Sequence, residues 1–107
     1  IVTVTFSAVA NRRYRYTVTG LLVSDSAGNT VTHLTDTSNN ALREYFTYYP
    51  SSGAYVMGFI DYIETASSTG SLTRKVRHIS GPGTYYYGSN VRDSIAWKIR
   101  VEDIGPA

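Results

Sequence analysis

The sequence predicts an all-β domain, an antiparallel β-sandwich of about seven to eight strands in the jelly-roll or Ig-like manner. Three observations predict it. Apolar and polar residues alternate through much of the chain, the mark of strands with one buried face. Clusters of Gly, Pro, Asn, Asp and Ser interrupt the alternation at short intervals, as turns require. Ser and Thr fill 25 of 107 positions while charged residues make up only 17%, a balance suited to solvent-facing strands. A small closed barrel of the OB kind is the alternative architecture.

The clearest strand is the first, where Val2, Val4, Phe6 and Ala8 share one face and Thr3, Thr5 and Ser7 the other. Tyr14, Tyr16 and Val18 continue the pattern opposite Arg13, Arg15, Thr17 and Thr19, until Gly20 interrupts it before Leu21. A glycine there predicts a bulge or bend. Asp25 to Asn29 has hairpin-turn chemistry, so Thr30 to Thr35 is expected to return antiparallel to the preceding strand. Asp36 to Asn40 forms a second loop, with a brief helical turn over Asn39 to Tyr45 as a minor alternative. Leu42 to Tyr49 is a strand stopped at Pro50 to Gly53, and Ala54 to Glu64 is its expected partner across that turn. Thr65 to Ser71 is a small-residue loop. Leu72 to Ile79, Thr84 to Tyr87 and Ile95 to Glu102 supply the remaining strands, and Trp97 is the expected core anchor of the last. Gly81-Pro82-Gly83-Thr84-Tyr85 followed by Trp97-Lys98-Ile99-Arg100-Val101 resembles the closing hairpin of secreted bacterial β-sandwich modules.

Residues 1–107 make one domain, large enough to bury a core without metals or disulfides. Cysteine is absent, which excludes a disulfide framework and a cysteine-ligated zinc site. No run reaches the about 20 apolar residues of a membrane helix. The chain starts Ile1-Val2, without Met and inside a strand pattern, as a product of signal removal or an excised domain does. The expected location is extracellular or at the cell surface. A formal charge of +2 beside a pI of about 9.0 sets up no strong field for a polyanion.

Catalytic chemistry finds little support. A serine nucleophile needs a base and an orienting acid, yet His33 and Asp36 are three apart in a strand pattern and His78 follows a basic run. Asp61 and Glu64, the nearest carboxylate pair, fall on opposite faces of a regular strand rather than across a cleft. There is no His-x-His, and Asp25 to Asn29 is too poor in ligands for a calcium loop. Glu102 and Asp103 read as exposed acids. No catalytic, cofactor or metal residue is therefore assigned, and no cofactor is expected.

Three surfaces remain. The strand carrying Val2, Val4, Phe6 and Ala8 sits at the terminus and is suited to β-augmentation with a neighbouring chain. Tyrosine occupies 10 positions, and Tyr48, Tyr49, Tyr85 and Tyr87 beside turns are candidate contacts for a sugar or a protein. Arg12, Arg13 and Arg15, interleaved with Tyr14 and Tyr16, with Arg74 to His78 as a second piece, form a candidate basic patch for single-stranded nucleic acid. Alternation there puts Arg13 and Arg15 in water and Tyr14 and Tyr16 in the core. The expected function is a non-catalytic structural or adhesive module that self-associates or binds another protein, as a filament, coat or surface-layer subunit. Carbohydrate is the second expected partner and nucleic acid the third.

Overall fold

The structure, a computed structural model, describes residues 2–24, 28–49, 55–80, 85–87 and 97–107, with side chains described over 2–20, 31–45, 57–77 and 97–107. Eight strands are described: β1 (Val2–Ala8), β2 (Arg12–Ser24), β3 (Gly28–Thr35), β4 (Ala41–Tyr49), β5 (Tyr55–Thr65), β6 (Gly70–Ser80), β7 (Tyr85–Tyr87) and β8 (Lys98–Pro106). No helix occurs among the described residues, and none there is long and apolar enough to cross a membrane.

The strands form two antiparallel sheets. The first has the order β1-β6-β3-β4. In the second, β2 pairs with β5 along one edge from Arg13 to Val23. Its other edge is shared in series, by β8 along Arg12 to Thr19 and by β7 along Leu22 to Ser24. The extents are 45 × 25 × 18 Å, and the shortest accommodates two sheets stacked about 10 Å apart. The sheets do not close into a barrel, so the sandwich holds and the OB-like alternative does not.

Alternation decides which side chains meet between the sheets. Tyr14, Tyr16 and Val18 of β2, Ile60 of β5, Leu34 of β3 and Val76 of β6 are buried together with Ala8, Ala66 and Trp97. Phe6 packs 5.1 Å from Tyr14 and 6.0 Å from Tyr16, ring centroid to centroid, and Tyr16 stacks on Tyr62 at 6.4 Å. At the far side of the row the guanidinium of Arg43 lies over Tyr62, 5.6 Å from its centroid. The chain enters and leaves this core by side-chain-supported turns. Asn11 and Asn39 adopt positive φ of 64° and 67°, a region Asn tolerates better than most residues. Asp36 organises the β3–β4 turn by accepting from the Ser38 and Asn40 amides at 2.9 Å each.

Pairing departs from the sequence expectation at several points. β2 and β3 lie in different sheets rather than in one hairpin, and so do β4 and β5. β7 and β8 pair with β2 and not with each other, so the chain end is not a closing hairpin. Gly20 makes no bulge: the β2–β5 register runs unbroken through Gly20↔Gly58. Residues 41–45 are strand rather than a helical turn, and β6 begins at Gly70, which shortens the expected 65–71 loop. Any strand edge satisfies the backbone of any other. Turn chemistry therefore reveals where the chain reverses but not which sheet it joins.

Candidate functional site

The outer face of the second sheet combines an apolar row with neutralised charge. On β5, Met57, Phe59 and Ile63 are 52%, 52% and 46% exposed, and the alternation that buries Ile60 is what turns them outward. Between Phe59 and Ile63 stands Asp61, which accepts two hydrogen bonds from Arg15 of β2, Nε to Oδ1 at 3.0 Å and Nη2 to Oδ2 at 3.1 Å. This fork holds the Asp61 carboxyl below its ordinary value and raises the Arg15 guanidinium. The acid in the middle of the apolar row therefore carries its own counter-charge.

The candidate basic patch is divided in the same way. Arg13 and Arg15 are exposed while Tyr14 and Tyr16 are buried, as alternation predicts. Arg12 Nε donates to Asp103 Oδ2 at 2.8 Å, and the hydrogen bond and charge of each partner raise the arginine and lower the aspartate. Two of the three arginines thus have carboxylate partners within the chain. The second basic piece is not a surface run, because Arg74 is 9% exposed.

Arg74 belongs to an interior cluster that bridges the sheets. From β6 its Nε and Nη2 each donate to Glu64 of β5 at 2.8 Å, and Nη1 donates to the Thr73 carbonyl at 2.8 Å. The Tyr16 hydroxyl donates to Glu64 Oε1 at 2.5 Å. Burial opposes the charge of Arg74, but hydrogen bonding and attraction to Glu64 outweigh it, so its pKa is raised. Burial and the neighbouring carboxylate also raise Tyr16. The sequence reading missed this cluster. A signal was present, since Glu64 shares the parity of Tyr62 and Ile60, and Arg74 that of Leu72 and Val76.

The other candidates fall apart in space or join the core. Asp36 is used by the β3–β4 turn, where its Oδ2 also accepts from Asn40 Nδ2 at 3.1 Å. His33 instead faces Glu44, Nε2 to Oε1 3.7 Å, beyond hydrogen-bond range. Asp61 points outward and Glu64 inward from the same strand, so the pair shares no cleft. No group of three or more His, Cys, Asp or Glu that could hold a metal occurs among the described residues.

Val2, Phe6 and Ala8 of the candidate assembly strand are packed in this chain's own core, and Val4 is half-buried beside them. β1 pairs with β6 from Val2↔Val76 to Ala8↔Gly70. The backbone places Tyr48 and Tyr49 in the first sheet, opposite Asn29 and Gly28, and Tyr85 and Tyr87 in the second. Their side chains lie outside the described residues, as does the Asp25 to Ala27 part of the first turn and all of Pro50 to Gly53. No family model, curated protein or solved structure matches the chain.

Proposed function

We propose that this β-sandwich is a non-catalytic structural or adhesive module, extracellular or at the cell surface, that works by association with further copies of itself. The observation that carries the reading is the row of Met57, Phe59 and Ile63 on the outer face of β5, each about half exposed. Soluble chains rarely align large apolar side chains in water without a partner. Because Arg15 neutralises Asp61 within the row, the surface asks for an apolar counterpart rather than a charged one. A second copy of the same row is such a counterpart.

Magnitude favours a repeated array over an isolated dimer. Burying the exposed halves of three such side chains yields on the order of 2–5 kcal/mol. That is at or below the roughly 4–15 kcal/mol lost in restricting two free bodies. The contact is weak alone and becomes effective when each subunit makes more than one, as in a filament, coat or layer. A low-charge, hydroxyl-rich composition accords with such a lattice.

Light scattering and electron microscopy of the chain over a concentration series test the proposal. Particles larger than a monomer are expected, and Phe59→Asp, which keeps the inward residues intact, reduces them. A monomer at every concentration overturns the reading, and assembly indifferent to Phe59→Asp removes the β5 row as its contact.

A further inference from the structure

The strand edges of this sandwich are not equally defended. Exposed edges template pairing with other chains, and proteins ordinarily blunt them with charges, proline, bulges or very short strands. β4 carries Arg43 and Glu44. On β5 the edge bears Asp61, and the Tyr45 hydroxyl donates to the Met57 carbonyl at 3.2 Å. β8 has Arg100, Glu102 and Asp103, a register shift and Pro106, while β7 is three residues long.

β1 has none of these devices. Its seven residues contain no charge and no proline, and its register against β6 is continuous from Val2 to Ala8. Among the described residues only β6 pairs with it. Its outward side chains Thr3, Thr5 and Ser7 are exposed, and Thr5 already makes a hydroxyl–hydroxyl bond of 2.9 Å with its cross-strand partner Thr73.

We propose that the free edge of β1 pairs antiparallel with β1 of a second copy of this chain, about a two-fold axis at Thr5. The sequence Val2 to Ala8 is self-complementary in that register. Thr5 meets Thr5, Thr3 meets Ser7, Val4 meets Phe6 and Val2 meets Ala8, so hydroxyls face hydroxyls on one side and apolar groups face apolar groups on the other. Thr–Thr and Thr–Ser pairs are favourable cross-strand neighbours, and an isologous contact demands this kind of self-matching. The four-stranded first sheet then continues as eight strands through the pair.

The inference rests on the assembly reading above and adds its second contact. β1 and β4 are the opposite outer strands of the first sheet, and the Tyr45 bond sets β4 against β5. The two contacts therefore lie on opposite sides of the sandwich. A subunit joined to one neighbour through β1 and to another through the β5 row builds an unbranched filament.

Thr5→Lys sets like charges directly opposite each other at the axis while leaving the inward face unchanged. The wild-type chain is expected to form filaments, with Thr5→Lys and Phe59→Asp each reduced to dimers and the double variant to monomers, all with a native circular dichroism spectrum. Filaments unchanged by Thr5→Lys but dissolved by Phe59→Asp overturn the β1 pairing and leave the assembly reading intact. The reverse result upholds the pairing and removes the β5 row. A wild-type monomer at every concentration overturns both and leaves the β1 edge to a strand of a different protein. Cross-linking provides a second arm that does not depend on how the lysine is tolerated. In this cysteine-free chain, Thr5→Cys treated with oxidised glutathione is expected to give a disulfide-linked dimer at least tenfold faster than Thr73→Cys one strand inward. Equal rates overturn the register.

Discussion

Gly20 and Gly58 stand directly opposite each other on β2 and β5, and the indole of Trp97 lies across both. A Cβ at Gly20 would fall inside the indole at Cγ, Cδ2 and Cε2, and one at Gly58 would meet Cη2 and Cζ2. The two glycines form a floor without side chains, which lets a residue just ahead of β8 reach across β2 to β5. Strand glycines mark either a bulge or a close approach, and here the close approach is what requires them.

Gly20→Ala and Gly58→Ala are each expected to destabilise the domain by at least the roughly 1–3 kcal/mol of an overpacked core. Trp97→Ala is expected to cost about 3–5 kcal/mol. Urea unfolding of the double variant Gly20→Ala/Trp97→Ala decides whether the indole is the cause. The glycine substitution should cost much less once the ring is gone, a coupling of about 0.5–3 kcal/mol. Additive losses would place the strain elsewhere.

The Glu64–Arg74 bridge predicts asymmetric damage. Arg74→Met leaves a buried carboxylate and Glu64→Leu a buried guanidinium, each expected to lose about 3–5 kcal/mol, whereas the two together restore much of the loss. Tyr16→Phe removes one donor to Glu64 and should cost about 1 kcal/mol. Tyr16 also has a raised pKa in the fold, so its stabilisation is complete below the tyrosine value of the unfolded chain, about 10, and is lost as pH rises beyond it. Alkaline unfolding curves should be flatter for Tyr16→Phe, and an unchanged curve would remove Tyr16 as the source.

Acid acts through three surface carboxylates. Asp36 is lowered by hydrogen bonds from Asn40 and Ser38, Asp61 by Arg15, and Asp103 by Arg12 and the Gly105 amide. A lowered folded-state pKa stabilises above the unfolded value and ceases to do so as pH falls through the folded one. Stability should therefore decline as pH drops below about 4. Each of Asp36→Asn, Asp61→Asn and Asp103→Asn should reduce the steepness of that decline in urea titrations. High salt should shrink the Asp61 and Asp103 contributions more than that of Asp36, which is lowered mainly by amide hydrogen bonds and least by the charge of Arg74.

Removal of Val2 to Ser7 is expected to unfold the domain. Val2 and Phe6 pack against the core, and Phe6 contacts both Tyr14 and Tyr16. Apolar side chains of this size stabilise by up to about 1.5–3 kcal/mol each, a large part of the 5–15 kcal/mol of an ordinary domain. A truncated chain that keeps its β spectrum and cooperative melting would show that β1 is dispensable to its own sheet.

Face assignment is a local property, and the sequence determined it. Alternation put Val2, Val4, Phe6 and Ala8 inward, separated Arg13 and Arg15 from Tyr14 and Tyr16, and placed Trp97 in the core, because successive side chains of a strand point to opposite sides. Partner choice was decided only by tertiary structure. β2 left its expected hairpin with β3, and β4 its hairpin with β5, since a backbone ladder forms equally well on any compatible edge and alternation carries no address. Glu64 and Arg74 each stood at an inward position where a charge is costly alone, but their meeting across the two sheets depended on how β5 and β6 stack. Gly20 could be read as a break in its strand, and only the arrival of Trp97 from the far end of the chain gave its missing side chain a purpose.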